Sequence, residues 1–176
     1  AAGYKVLKLL PDQGSVIFYG TNDPRAAGMP ATDVRVRQAL SLAINRDELN
    51  KTLFRGRSLR ILPPWIHEIS LDVDLAYWQD YCAKAYRYDP EEAKRLLKEA
   101  GYPQGFTIKL LSGERSRFPL FPKAMEVVQA YWSKIGVKAE LVPVDFSAII
   151  CGSMYRGIET TYIPSIGQAA PFGNQS

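Results

Sequence analysis

The sequence predicts an α/β fold, because segments with helical spacing of apolar residues alternate with short apolar runs typical of strands. A delimited helical pattern covers residues 89–100, and a strand-like run follows at 106–111. A second helical pattern at 120–135 and a second strand-like run at 137–142 complete the series. The strand, helix and strand from 106 to 142 form a β-α-β unit, so the two strands are expected to be parallel with a right-handed crossover.

The first part of the chain predicts two strands, at 4–10 and 15–20, joined by a tight turn at PDQG. A loop rich in glycine and proline follows. Asp33 can then cap a helix, and Asn45 can cap a second one because Glu48 stands three residues later, as in a capping box. Gly56 is expected to end this pair. One apolar stripe joins Val36, Ala39, Leu40, Ala43 and Ile44, and Leu49 and Leu53 continue it.

Residues 57–88 are the least regular stretch of the sequence. The prolines of LPPW exclude a helix there, and no one-sided apolar pattern returns before Tyr88. Asp89 and Pro90 then start a helix that Gly101 ends, and we expect Gly101 to have positive φ. The buried stripes of the two later helices are predicted to be Ala93, Leu96, Leu97 and Ala100, and then Ala124, Val127, Val128, Tyr131 and Ile135, with Gly136 as the second stop. Beyond the second strand, a short helix capped by Asp145 and a last strand near 158–166 are expected.

Composition is that of an ordinary folded domain. Apolar residues make up 47% and charged residues 23% of the 176 residues, and the net charge is +4. Basic and acidic residues are interleaved, so we expect no nucleic-acid partner. One histidine, His67, and two cysteines, Cys82 and Cys151, give no metal-ligand pattern, and no metal or cofactor is predicted. The cysteines are interpreted as small, partly buried side chains, with a disulfide left open.

Two segments together resemble a known family. VRQALSLAINRDELNKTLFRG and YDPEEAKRLLKEAGYPQGFTIKL are similar, in order and spacing, to signatures of the family 5 extracellular solute-binding proteins, which bind dipeptides, oligopeptides or nickel for ABC importers. With YWSKIGVKAELVPVDFSAI, the resemblance covers residues 33–149. It implies one α/β lobe of a two-lobed periplasmic-binding-protein type II-like fold, with a mixed sheet flanked by helices. The expected division is lobe-boundary strands at 1–20, the second lobe at 21–163 and a lobe-exit or frayed tail at 164–176.

The resemblance also implies a non-catalytic function and a set of partners. The ligand would be an oligopeptide or another small solute, captured when two lobes close. The other partners would be an importer permease and a first lobe, which this chain is too short to supply. The place of action would be periplasmic or extracellular, with membrane association through the importer or a lipid anchor outside this chain. Peptide binders of this family follow their last lobe-crossing strand with a Trp and an Asp, and SIGQAAPFGNQS has neither.

Four residues are predicted to bind ligand. Ser112, Arg115 and Arg117 lie in a loop after a strand, where open α/β sheets place ligands, and arginine can hold a carboxylate with two donors. The alternative is a pair of solvated loop arginines. Trp65, on a proline-braced loop, either stacks on ligand or packs in the core.

Two further interpretations concern aromatic residues and catalysis. Tyr77, Trp78, Tyr81, Tyr86 and Tyr88 are interpreted as core or interlobe packing, since a nucleic-acid surface would need an interleaved basic stripe. The alternative function is a stand-alone α/β hydrolase-like enzyme that uses Ser112 and His67. It lacks a GxSxG motif and a matching acid, so we expect a binding protein and no enzyme.

Overall fold

The computed structural model describes residues 27–56, 62, 72–112 and 119–143. Within these ranges a short 3₁₀ helix, Pro30–Thr32, precedes five α-helices and two strands. None of the described helices has the length and apolar character that crossing a membrane requires. The elements are α1 (Val34–Leu42), α2 (Arg46–Thr52), α3 (Leu75–Ala85), α4 (Pro90–Glu99), β1 (Thr107–Ser112), α5 (Phe121–Ser133) and β2 (Lys138–Pro143).

The predicted helix starts are confirmed by their caps. The Asp33 carboxylate accepts the backbone N–H of Arg35 at 2.8 Å, and the Asn45 side chain accepts that of Glu48 at 3.0 Å. Asp89 accepts from Glu92 at 3.0 Å, with Pro90 in the first helical position. Each cap satisfies a backbone donor that has no partner within its own helix.

The β-α-β unit is confirmed as well. Strands β1 and β2 pair in parallel, from Thr107 opposite Lys138 to Ser112 opposite Pro143. Helix α5 connects them and packs mainly on β2. On one face of the sheet, Ile108 and Leu110 of β1 and Ala139 of β2 are buried, while Thr107 and Lys109 alternate with them and are exposed.

One continuous core joins α1, α4, α5 and the sheet. The predicted stripe from Val36 to Ile44 is buried, and so are Ala93 and Leu97 of α4. Leu49 and Leu53, predicted to continue the first stripe, are half-buried. Leu96, Ala100 and Val127 were predicted to be buried and are half-buried against the same core. Trp132 was not predicted to be buried, yet it is the largest fully buried side chain of the described residues.

The glycines that follow α4 and α5 end these helices, as the sequence predicts. Gly101 has φ of +93° and Gly136 has φ of +86°, the left-handed conformation that favours glycine. After α4, the N–H of Tyr102 bonds to the carbonyl of Leu97 at 2.8 Å, and that of Gly101 bonds to Lys98 at 3.1 Å. These two bonds define a Schellman motif, which satisfies the last carbonyls of the helix.

The irregular stretch predicted for residues 57–88 is wrong in its last part. Residues Leu75–Ala85 form α3, which Asp74 caps by accepting the N–H of Tyr77 at 3.0 Å. Leu75, Trp78, Cys82 and Ala85 recur along this helix at helical spacing, a signal that the prediction of an irregular stretch missed, and Cys82 is the fully buried member of that stripe. Cys82 is a free thiol, and burial raises its pKa.

Of the two packing interpretations for the five aromatic residues, core packing is wrong for three, and interlobe packing stays a prediction. Tyr77 is 58% exposed, Tyr81 48% and Tyr88 43%. Trp78 and Tyr86 are half-buried. The N-terminal strands, the helix from Asp145 and the last strand lie outside the described residues.

Candidate functional site

The candidate site lies at the carboxyl ends of β1 and β2. Ser112 is the last residue of β1, is half-buried, and stands opposite Pro143, the last residue of β2. Because parallel strands end at one edge of their sheet, the segment after β1 leaves from the place where α/β proteins bind ligands. Ser112 was predicted to begin the loop after this strand and is instead the last residue of the strand, and its contact with a ligand stays a prediction.

The other predicted site residues lie outside the described residues. Arg115 and Arg117 fall between Ser112 and Pro119, and Trp65 and His67 fall between 62 and 72. Among the residues that are described, the structure thus places one of the four predicted ligand contacts. It brings no two of them together, so their role as a common set of ligand contacts stays a prediction.

The segment that carries the two arginines lies in the sequence between two packed elements. On one side it leaves β1, and on the other it enters α5, whose first residue, Phe121, is buried in the core. Pro122 occupies the first turn of α5, where its missing N–H costs no helical hydrogen bond. Two packed elements therefore fix the points between which residues 113–118 run.

Helix α5 is tied to the sheet and to α1 by side-chain donors. The Gln129 amide donates to the carbonyl of Ala139 on β2 at 2.6 Å. The indole Nε1 of Trp132 donates at 2.9 Å to the carbonyl of Leu40, which lies 92 positions earlier in the sequence. Both bonds end in backbone groups, so they set the position of α5 rather than that of another side chain.

The carboxyl end of α1 is satisfied by three separate parts of the chain. The carbonyl of Leu40 accepts from Trp132, and that of Leu42 accepts the N–H of Asp89 at 2.9 Å. The carbonyl of Ser41 accepts from the Arg46 guanidinium at 2.9 Å. Each bond satisfies a carbonyl near the end of the helix, and the Ser41 carbonyl also accepts the N–H of Ile44 at 3.2 Å. The segment that resembles one family signature is thereby joined to the segment that resembles the other.

Arg46 is the most connected charged group of this region. Its guanidinium also donates to the hydroxyl of Ser41 at 2.9 Å and to the carbonyl of Tyr86 at 3.1 Å, and it lies 5.2 Å from the centre of the Tyr86 ring. Burial lowers the pKa of Arg46, and the neighbouring Tyr86 partly opposes this. Burial also raises the pKa of Tyr86. Sequence reasoning missed Arg46, since nothing in the pattern marks an arginine at a helix start as a hydrogen-bonding centre.

A second polar contact joins α5 to α2. The Tyr131 hydroxyl donates to the Glu48 carboxylate at 2.9 Å, and the Lys134 ammonium lies 5.1 Å from the centre of the Tyr131 ring. The Tyr88 ring is 6.4 Å away. Burial raises the pKa of Tyr131, and the hydrogen bond to Glu48 raises it further. The contact is structural in character, because each polar group already has a partner within the protein.

The charged side chains on the surface of α4 form ion pairs with one another. Arg95 is paired with Glu92 at 2.6 Å and with Glu99, and Lys94 with Glu91 at 2.9 Å. Within the described ranges, no three histidine, cysteine or acidic side chains come close enough to hold a metal ion. The described residues thus present the carboxyl edge of the sheet, against which α5 packs.

Comparisons with known proteins agree on one family. The model of "Bacterial extracellular solute-binding proteins, family 5 Middle" matches residues 3–166. The dipeptide-binding protein of Escherichia coli K12 is 38% identical over 122 residues, which are 66% of this chain and 21% of that protein. The glutathione-binding protein GsiB of Pectobacterium atrosepticum is 35% identical over 132 residues, or 75% and 24% of the two chains.

Solved structures give the same answer. A dipeptide-binding protein from Pseudoalteromonas, in complex with Met-Leu, superposes with a TM-score of 0.60 at 26% identity, over 87% of this chain and 27% of that one. The periplasmic binding protein DppA of Helicobacter pylori, in complex with a peptide, gives a TM-score of 0.57 at 25% identity, over 79% and 24%. This chain therefore spans about a fifth to a quarter of the curated relatives' length. Its fold is that of part of a periplasmic binding protein, as the sequence predicted.

Proposed function

Because the chain belongs to family 5 of the bacterial extracellular solute-binding proteins, we propose that it is one lobe of the solute-binding component of an ABC importer. The observation that carries this proposal is the family match over residues 3–166, which includes the whole described β-α-β unit. Membership favours ligand capture over the hydrolase alternative with Ser112 and His67, since the matched family is described as solute-binding. Family members are extracellular by that description.

The ligand is proposed to be a peptide. Relatives named for dipeptides and for glutathione are among those most similar in sequence, and two of the similar structures hold peptides. Dipeptides and glutathione share a free carboxylate. Arginine forks recognise carboxylates, so Arg115 and Arg117 are proposed to hold that group beside Ser112, and Trp65 to stack against the peptide.

The partners follow from the same proposal. A first lobe of the same protein would close on the ligand, and a permease would receive it, with membrane association through that importer or a lipid anchor outside this chain. In this proposal residues 1–20 would form lobe-boundary strands, residues 21–163 the second lobe itself, and residues 164–176 a lobe exit or a frayed tail. The sequence departure in SIGQAAPFGNQS is compatible with a peptide whose amino terminus is held elsewhere.

Calorimetric titration of Met-Leu and of glutathione tests the proposal. The 176-residue chain alone should bind either ligand only weakly, because a half-site leaves the ligand in contact with water and lacks the opposing contacts. A two-lobed protein that contains this chain should bind at least one of them tightly. Tight binding by the isolated chain would rule out the single-lobe proposal.

The arginines are tested in the two-lobed protein. Replacing both Arg115 and Arg117 by glutamine should weaken binding by about 1.5–3 kcal/mol, the range for hydrogen bonds to charged groups. The matched control is Arg95→Gln, which removes a solvent-exposed arginine already paired with Glu92 and Glu99 on α4. Equal affinity in the double variant and the control would remove the arginines from the site.

A further inference from the structure

Strand β2 has an outer edge, the side that faces away from β1. The N–H of Lys138 bonds to the carbonyl of Phe106 at 2.9 Å, and the parallel register continues from there along β2. Successive residues of a strand direct their backbone groups to opposite sides, so the even-numbered residues of β2 face β1. The odd-numbered residues, Ala139, Leu141 and Pro143, therefore direct their backbone groups to the outer edge.

A side chain of α5 already occupies one acceptor of this outer edge. The Gln129 amide donates to the carbonyl of Ala139 at 2.6 Å, and Gln129 is half-buried on the helix that packs on β2. A neighbouring strand would approach the same carbonyl in the plane of the sheet, at a spacing of about 5 Å. The Gln129 side chain thus takes the place that a donor of such a strand would need.

A proline removes one donor from the same edge. Pro143 has no N–H, and it is one of the three residues whose backbone groups point outward. The ladder between β1 and β2 loses no bond, since the N–H of an outward residue takes no part in it. Within sheets, proline is found mainly on edge strands, with the missing donor toward solvent. Of the three outward residues, Leu141 alone has neither restriction.

We propose that β2 is the terminal strand of its sheet, and that Gln129 and Pro143 close its outer edge to a strand from a second copy of this chain. An exposed strand edge is a template for pairing with another chain, and proteins block such edges with proline, with charges or with a covering element. Further strands of the sheet can then join only at β1. The inference concerns self-association and does not depend on which ligand the lobe binds.

Amide hydrogen exchange of the 176-residue chain, resolved by residue with NMR, tests the position of β2. The N–H groups of Ala139 and Leu141 should exchange about tenfold or more faster than those of Lys138 and Glu140, which face β1. The reason is that an outward amide of a terminal strand has no strand partner. Equally slow exchange at all four amides would overturn the assignment of β2 as the terminal strand.

The closure itself is tested by a double variant, Gln129→Leu with Pro143→Val, which removes the side-chain donor and restores the missing N–H. Size-exclusion chromatography with light scattering should show that it self-associates at about tenfold or more lower concentration than the parent chain. In the associated form, the amides of Ala139 and Leu141 should exchange slowly, because they are then paired with a second strand.

The matched control is Gln38→Leu with Pro103→Val, which makes the same two changes at exposed positions outside β2. Equal self-association in the double variant and in this control would overturn the closure, and so would association that leaves the two outward amides fast. If the double variant does not fold, Pro143→Val alone changes only the last residue of β2 and should raise self-association by a smaller factor. No rise in that variant would overturn the closure as well.

Discussion

Helices α3 and α4 follow one another in the chain and begin in the same way, yet only one of them belongs to the core. They have 11 and 10 residues, and each is capped by an aspartate that accepts a backbone N–H at 3.0 Å. Each carries a lysine in its last turn, where a positive charge suits the helix dipole. Their local signals are thus nearly the same.

The difference lies in what each helix buries. Helix α4 places Ala93 and Leu97 against α1 with almost no exposed surface, whereas α3 keeps Tyr77 and Tyr81 half exposed. A cap decides where a helix begins, and the apolar stripe decides whether the helix is held by tertiary packing. Helix α3 also has apolar residues at helical spacing, Leu75, Trp78, Cys82 and Ala85, but of these only Cys82 is fully buried, so similar local patterns lead to different degrees of burial.

The largest effect is expected where α4 turns back toward the sheet. A Cβ at Gly105 would lie 1.8 Å from the carbonyl oxygen of Gly136. That oxygen belongs to the backbone, which cannot move aside at low cost. Gly105→Ala should cost roughly 3–5 kcal/mol, from this clash and from the positive φ of Gly105. Urea unfolding measures the loss.

The control is Gly101→Ala, at the end of the same helix. Gly101 also has positive φ, but nothing lies within 4 Å of its added Cβ. Only the conformational strain remains, so we expect a cost of about 1–2 kcal/mol. Equal losses in the two variants would show that the backbone contact between Gly105 and Gly136 does not constrain the turn.

The next prediction tests the comparison of the two helices directly. Leu97→Ala removes a fully buried side chain of α4 and should lower the free energy of unfolding by about 2–5 kcal/mol. Tyr81→Ala removes more atoms from α3 but should cost only about 0.5 kcal/mol, as exposed surface changes do. Leu40→Ala, on the stripe of α1, is expected to behave like Leu97→Ala. A Tyr81→Ala loss as large as that of Leu97→Ala would place α3 in the core.

The sequence predicted the helices that begin at a recognised capping residue and continue in a stripe of apolar residues. Asp33, Asn45 and Asp89 were recognised as caps, and the stripes that follow Asp33 and Asp89 gave the buried faces, because one helix face determines both periodicity and burial. Helix α3 escaped prediction although Leu75, Trp78, Cys82 and Ala85 recur at helical spacing after the cap Asp74, because the prolines of LPPW led the whole stretch to be interpreted as irregular.

Contacts between residues far apart in sequence could not be predicted from spacing. The bonds of Trp132 to Leu40 and of Arg46 to Tyr86 join residues 92 and 40 positions apart, and no local pattern specifies either partner. For the candidate site, the position of Ser112 at a strand end followed from the β-α-β pattern. The roles of Arg115, Arg117 and Trp65 stay predictions, since strand topology fixes where a loop leaves the sheet and leaves open where its side chains point.

A smaller effect is expected at the contact that joins α5 to α1. Trp132→Phe keeps most of the buried ring volume but removes the indole N–H, which leaves the carbonyl of Leu40 without that donor. The cost should be about 1–3 kcal/mol, the penalty for an unsatisfied buried polar group. Thermal or urea unfolding measures it, and Tyr81→Ala serves as the exposed aromatic control. A loss below that of Tyr81→Ala would show that a water molecule replaces the indole donor.

The last prediction concerns the way in which the free energy of unfolding depends on pH, which Tyr131 alters only at high pH. The pKa of Tyr131 is raised above its usual value near 10, mainly by burial and then by its hydrogen bond to Glu48. Below pH 10 both folded and unfolded tyrosine are protonated, so this stabilisation is fully present. Above about pH 10 the unfolded form loses its proton while the folded form keeps it, and stability falls as pH rises.

Tyr131→Phe should therefore make the loss of stability between about pH 9 and 11 less steep, although the variant is less stable at neutral pH because it lacks the Glu48 hydrogen bond. Urea midpoints across that range measure the slope, and Tyr81→Phe is the control on the exposed face of α3. Lysines titrate in the same range but are common to all three proteins, so they cancel in the comparison. Equal slopes in the parent and in Tyr131→Phe would mean that the Tyr131 hydroxyl ionises as readily in the folded protein as in the unfolded one, and that neither burial nor the bond to Glu48 holds its proton at high pH.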